Sequence, residues 1–361
     1  MTKRSIASTN RPRPALAAIV LLGALIALVA PARAGDIGTV DYFLNHQSIE
    51  RIYREGGIDP TVLIHVREVV LRGRERTAPG EGKVLLLLHG AATPGYIGFD
   101  GTCENCSMMR YFARAGWDVF ALDYEGFGMS TRSPVVDNPA LFPDADVPTA
   151  TEVAVDDVAR VVDFIRALRG VAKVNLLGWS FGAIRSAPIY TIGNPESVAR
   201  LVLFAGEYGR RSDEDRSKAE AFAKQKVLTT APSMAGWVRF GGRPENFLPG
   251  AIESYRDAIL GSDPKSGELG GKFRFPAGPL VDIWAADVQF DAARITVPTL
   301  VIRGANDVVG SVADNERLLA ALGSETKAFV EIPDGSHYIF FEQASVPFYE
   351  AIRTFLEAEP Q

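Results

Sequence analysis

At 361 residues the chain can hold one large domain with an insertion or two domains, and its 47% hydrophobic and 23% charged residues are those of an ordinary globular protein. A formal net charge of −6 speaks against nucleic acid as a partner, because a phosphate backbone needs a basic face. No long run of one charge sign suggests a polyelectrolyte tail.

The first residues read as an address. Lys3, Arg4, Arg11 and Arg13 make a basic opening, "ALAAIVLLGALIALVA" supplies an apolar run, and "PARA" places Ala32 and Ala34 in the A-x-A positions of a signal-peptidase site. The run is shorter than the roughly 20 residues usual for a bilayer span. Residues 1–34 are therefore expected to be a signal peptide cut after Ala34, with the mature chain periplasmic or secreted and not stably inserted in a membrane; an uncleaved anchor is the alternative.

After that segment, short apolar runs alternate with helical patterns, the rhythm of an α/β protein with a mainly parallel sheet. "TVLIHVREVVLRG" reads as antiparallel strand at the sheet edge. "KVLLLLHG" (Lys83 to Gly90) is the first strong strand. "TCENC" follows, and in an oxidising compartment Cys103 and Cys106 are expected to pair as a disulfide that pins a loop. No metal is expected, since the chain has only these two cysteines and four histidines.

"WDVFALDY" (Trp117 to Tyr124) is the next strand. A helix then opens with Thr149 and Glu152 in capping-box spacing, carries Val158, Val162 and Ile165 on one face, and ends at Gly170. "KVNLLGWS" (Lys173 to Ser180) and "RLVLFAG" (Arg200 to Gly206) continue the sheet. From Gly206 to Pro298 the strand rhythm stops. Ser212 and Asp215 stand in cap spacing and "PGAIESYRDAILG" runs from proline to glycine, so residues 207–297 are expected to be a helical cap over the carboxyl ends of the strands. "PTLVIRGAND" (Pro298 to Asp307) and "KAFVEIPDGSH" (Lys327 to His337) resume the core, giving core segments 35–206 and 298–361. The strong strands are near-continuous apolar runs, as for strands covered on both faces.

The chemistry gathers where the third strong strand ends. Gly178-Trp179-Ser180-Phe181-Gly182 is a G-x-S-x-G sequence between strand and helix, the setting in which a strained turn lifts a serine hydroxyl clear of a sheet. Such a hydroxyl needs a base. Of the four histidines, His46 lies in a polar N-terminal region, His65 sits mid-strand as a packed, hydrogen-bonded residue, and His89 ends a strand. His337, in the loop after the last strand, is the candidate base. Asp307, at the end of the preceding strand, is the candidate acid that orients it, with Asp334 and Glu207 as alternatives.

With these residues in place the sequence resembles the α/β-hydrolase superfamily from about Thr61 to Leu356, through His89-Gly90, "DYEGFGMS" (Asp123 to Ser130), the Ser180 elbow, Asp307 and His337. The resemblance implies an α/β-hydrolase fold, with a mostly parallel eight-stranded sheet, helices on both faces and a helical cap after the sixth strand. It also implies an oxyanion hole made by the backbone N–H of Phe181 and by that of Ala91, with Ala92 as the alternative. "DYEGFGMS" is read as structural, with Asp123 bonded to nearby backbone.

A serine at the elbow directs the chemistry to acyl carbon through an acyl-enzyme. The expected substrate is a small carboxylic ester or lactone, apolar if Trp179, Phe181, Trp237, Phe240, Phe275 and Trp284 line the pocket, and no cofactor is expected. The rival readings are a serine-dependent C–C hydrolase of diketone-like substrates, a perhydrolase or acyltransferase, and a non-catalytic binding protein on the same fold.

Overall fold

A computed structural model describes residues 36–75, 82–209, 211–286 and 289–359. The expected signal peptide lies outside them. Among the described residues no helix is long and apolar enough to cross a membrane.

The strands, in chain order, are β1 (Ile37–Gln47), β2 (Thr61–Leu71), β3 (Val84–Leu88), β4 (Asp118–Leu122), β5 (Val174–Trp179), β6 (Val198–Phe204), β7 (Val227–Thr230), β8 (Phe273–Pro276), β9 (Thr299–Gly304) and β10 (Lys327–Ile332). Eight of them form one sheet in the order β1-β2-β4-β3-β5-β6-β9-β10. β2 runs antiparallel to both of its neighbours, β1 and β4, and the remaining neighbours run parallel. The fold is thus the expected α/β-hydrolase fold. Every residue of β3, β4, β5 and β9 is buried. Since alternate side chains point to opposite faces, both faces of the sheet centre are covered by helices and loops.

Two local expectations fail. Thr149 does not cap the helix Thr151–Arg169; Ala150 holds the cap position and offers no side-chain bond. Thr149 instead has φ of 56°, its N–H donates to Glu50 at 2.7 Å, and its hydroxyl donates to the Glu125 carbonyl at 2.8 Å. The helix end is served from far away, by Asp282 accepting from the Thr151 N–H at 2.5 Å. Val158, Val162 and Ile165 are fully buried, and Gly170 closes the helix in the left-handed conformation at φ 63°, as the pattern predicts.

The second failure lies between β6 and β9. The chain there leaves the main sheet for the helices Asp213–Gln225, Met234–Arg239, Ala251–Ser262 and Gly278–Ala285. It also contains a strand pair, because β7 and β8 form an antiparallel ribbon. Ser212 and Asp215 form a reciprocal capping box on the first of those helices.

Candidate active site

Ser180 sits directly after β5 with φ of 54°, a left-handed conformation that a side chain adopts only under constraint. The constraint is visible on both sides. A Cβ on Gly178 would stand 2.3 Å from the Gly182 carbonyl oxygen, and one on Gly182 would stand 2.3 Å from the Leu88 carbonyl oxygen. Only glycine fits either place. The turn is then fastened to its neighbours, with Ser180 N–H donating to the Phe204 carbonyl at 3.0 Å and Gly182 N–H to the His89 carbonyl at 3.1 Å.

His337 lies beyond β10 and Asp307 beyond β9. The His337 Nδ1 is 3.0 Å from Asp307 Oδ2 and 3.2 Å from Oδ1. Asp307 also accepts from the Val309 N–H at 2.8 Å, and Arg303 donates to its carbonyl at 2.7 Å, so the carboxylate is set before it meets the imidazole. The histidine backbone is anchored twice. Its carbonyl accepts from Trp179 Nε1 at 3.0 Å, and its N–H donates to the Phe240 carbonyl at 3.3 Å. Ser180 and His337 open into one cavity of about 350 Å³.

The alternatives for the acid have other partners. Glu207 lines the same cavity but accepts from Arg211 Nη2 at 2.6 Å, and burial raises its pKa against the pull of that arginine. Asp334 is exposed, with φ of 60°, and pairs with Arg243 at 3.6 Å.

The other histidines are occupied too. His46 bonds Asp156 at 2.9 Å. His65 is buried between Asp123 at 2.8 Å and Asp41 at 2.9 Å. Burial works against its charge, but the two carboxylates outweigh burial and raise its pKa. His89 is fully buried, and burial lowers its pKa to about 4. Its Nδ1 donates to the Gly90 carbonyl at 2.7 Å and its Nε2 accepts from the Tyr124 N–H at 3.2 Å, which fixes one neutral tautomer. That bond steadies the backbone leading to Ala91. Among the described residues the N–H groups of Ala91, Ala92 and Phe181 find no acceptor.

Cys103 and Cys106 form a disulfide, with Cα atoms 5.2 Å apart, in the loop after Phe99. Thr102, beside it, meets Ser254 Oγ through its N–H at 3.1 Å and its hydroxyl at 2.7 Å, tying the loop to the helix Ala251–Ser262. Asp123 accepts from the Met129 N–H at 3.0 Å, as a structural reading of "DYEGFGMS" expects. Among the described residues no group of three or more His, Cys, Asp or Glu is arranged to hold a metal ion.

Trp179, Trp237, Phe240, Phe275 and Trp284 line the cavity. Phe181 does not. Its side chain is fully buried and packs edge-on against Tyr124, because the residue after Ser180 turns back into the core. Three cavity residues, Thr93, Tyr255 and Tyr338, escape sequence reasoning. Only the adjacency of Tyr338 to His337 hints at any of them.

The sheet order, the elbow after β5 and the paired loops after β9 and β10 define an α/β hydrolase. The chain belongs to the family described as serine aminopeptidase, S33, whose model matches residues 84–344. It is 28% identical over 321 residues to a 2-hydroxy-6-oxononadienedioate/2-hydroxy-6-oxononatrienedioate hydrolase of Klebsiella pneumoniae, covering 84% of this chain and 93% of that one. Its fold is similar to that of a thermophilic esterase from Thermogutta terrifontis, with TM-score 0.59, 19% identity and coverage of 87% and 97% of the two chains. It is also similar to that of an enol-lactonase from Burkholderia xenovorans, with TM-score 0.55, 19% identity and coverage of 82% and 97%.

Proposed function

We propose that this hydrolase cleaves carboxylic esters or lactones through an acyl-enzyme on Ser180, with His337 as base and Asp307 as the acid that orients it. The observation that carries the reading is His337, paired with Asp307, opening with Ser180 into one cavity. Hydrogen bonding of Nδ1 to Asp307 leaves Nε2 free to take the serine proton as Oγ attacks the acyl carbon. The same proton then leaves with the alcohol as the ester C–O bond breaks. Water, deprotonated through His337, releases the acid and restores the serine. Phe181 and Ala91, or Ala92, would offer their N–H groups to the oxyanion, at a typical worth of about 10²–10³ in turnover per donor.

A second reading, C–C bond hydrolysis, is favoured by the Klebsiella relative, whose named compounds are dicarboxylates. Against it, the cavity lining is largely apolar, with Trp284, Phe222 and Leu280 in it, and its Glu207 carboxylate is already paired with Arg211. A dianion entering there would give up the hydration of two carboxylates with Arg239 as the lining cation to meet them.

Labelling the purified chain with a fluorophosphonate tests the reading. An adduct on Ser180, lost in Ser180→Ala and reduced at least 100-fold in rate in His337→Ala, is expected. A folded protein that takes no label would overturn it. A panel of an ester, a lactone and a vinylogous diketo acid then separates the two readings.

We further propose export and cleavage after Ala34, supported by the basic and apolar opening with its A-x-A site and by the Cys103–Cys106 disulfide, a bond suited to an oxidising compartment. Intact mass of the native protein should place its first residue at Gly35. A full-length mass would reject cleavage.

A further inference from the structure

Thr93 and Tyr255 face each other across the cavity wall, one from the loop after β3 and the other from the helix Ala251–Ser262, with Thr93 Oγ1 and Tyr255 OH 3.0 Å apart. Both residues are nearly closed to solvent, at 2% and 5% exposure, and both line the cavity that holds Ser180. Each hydroxyl carries one proton, and the bond between them uses one. Tyr338, a third hydroxyl residue lining the cavity, adds one more proton. Whichever way the hydroxyls turn, at least one O–H is left over. Among the described residues Thr93 Oγ1 and Tyr255 OH have no acceptor beyond each other, so a spare donor is directed to whatever fills the cavity.

Its position is fixed. Thr93 is two residues from Ala91, so their Cα atoms are at most about 7 Å apart. Tyr255 is held by ring contacts with Trp237 at 5.1 Å and Phe341 at 5.7 Å, and its neighbour Ser254 is tied to Thr102. Burial raises the Tyr255 pKa to about 12, which keeps the phenol a donor at any working pH. A buried donor left without an acceptor costs about 1–3 kcal/mol. A plain alkyl substrate leaves it so, whereas a keto, ether or ring oxygen satisfies it.

We infer that Thr93, Tyr255 and Tyr338 form a specificity site that selects esters bearing a second hydrogen-bond acceptor a few bonds from the scissile carbonyl. The inference rests on the serine-hydrolase reading. In the transition state the substrate is held at the carbonyl by the oxyanion donors and at the second oxygen by the spare hydroxyl. Sites built to bond a polar group discriminate strongly against analogues that lack it.

Two matched pairs test this: the p-nitrophenyl esters of 4-oxopentanoate and pentanoate, and the 2-methoxyethyl and butyl esters of acetic acid. Each kcat/KM is divided by the rate of the same ester with hydroxide, which removes intrinsic reactivity. In at least one pair the wild type should favour the oxygen-bearing member by about 10-fold or more. Thr93→Val/Tyr255→Phe/Tyr338→Phe should bring that ratio to within about threefold of unity. The milder Thr93→Val/Tyr255→Phe should lower it partway, and serves if the triple variant fails to fold. A purely structural role would slow both members alike and leave the ratio unchanged, which overturns the proposal, as does a wild type with no preference in either pair. Absence of fluorophosphonate label on Ser180 is a separate result, and it removes the underlying reading instead.

Discussion

His65 is held toward its charged form for a reason unrelated to catalysis. Asp123 and Asp41 raise its pKa in the folded protein above the unfolded value of about 6.5, despite burial. Below that unfolded value both states hold the proton and the full stabilisation is present. As pH rises, the unfolded chain gives up its proton first, and the contribution fades as pH climbs toward and through the folded pKa. His65→Gln should therefore destabilise the protein by on the order of 1–3 kcal/mol at pH 6 and by clearly less at pH 9. Urea unfolding at the two pH values measures this; a difference that does not change with pH would mean a neutral imidazole. At the same scale, elimination among four histidines makes His337 stand out in the sequence, since His46 lies in a polar N-terminal region, His65 sits mid-strand and His89 ends a strand. Thr93 and Tyr255 are illegible there, being 162 residues apart and joined only by the docking of a helix from the insertion between β6 and β9.

Two glycines, at the elbow and in the helix Ala251–Ser262, respond to the same substitution in opposite ways. Gly178→Ala forces a Cβ to 2.3 Å from the Gly182 carbonyl oxygen, where neither backbone can yield without moving the elbow. The variant should lose on the order of 3 kcal/mol or fail to accumulate as soluble protein. Gly261, inside the helix, has nothing within 4 Å of its would-be Cβ, and Gly261→Ala should stabilise by about 0.5–1 kcal/mol. Thermal unfolding of both variants reads the contrast, and a destabilised Gly261→Ala would refute it. Among elements, the central strands are legible because burial on both faces leaves unbroken apolar runs. β1 is not. It is an edge strand of eleven residues whose side chains are mostly exposed or half-exposed, so "IGTVDYFLNHQ" has little apolar signal of its own and becomes a strand through pairing with β2. The capping-box pattern at Thr149 misleads because a buried network claims the threonine, and Glu50, its partner there, lies 99 residues away.

Across the whole molecule, Arg169 joins parts of the chain that no local pattern connects. It ends the helix Thr151–Arg169, is almost fully buried, and pairs with Glu68 on β2 and Asp118 on β4. Removing the cation strands two buried carboxylates, so Arg169→Met should cost about 3–5 kcal/mol. Replacing all three residues by apolar ones should recover much of that loss. Denaturant titration of both variants checks it, and a single variant as stable as wild type would mean the carboxylates find other partners. The class of fold is readable at this scale because strand and helix alternate in a set order. The course of the insertion is not, since β7 and β8 contribute four residues each and pair across a long intervening stretch.

The two backbone anchors of His337 come from different layers of the molecule. Trp179 belongs to the elbow, whereas Phe240 belongs to the insertion between β6 and β9. The insertion is therefore no interchangeable module set over a finished catalytic floor. Transplanting a relative's insertion to alter substrate range would remove a carbonyl that positions His337, unless the graft brings one to the place of Phe240. Exchange of single side chains that face the cavity escapes this constraint, because the anchor is main chain.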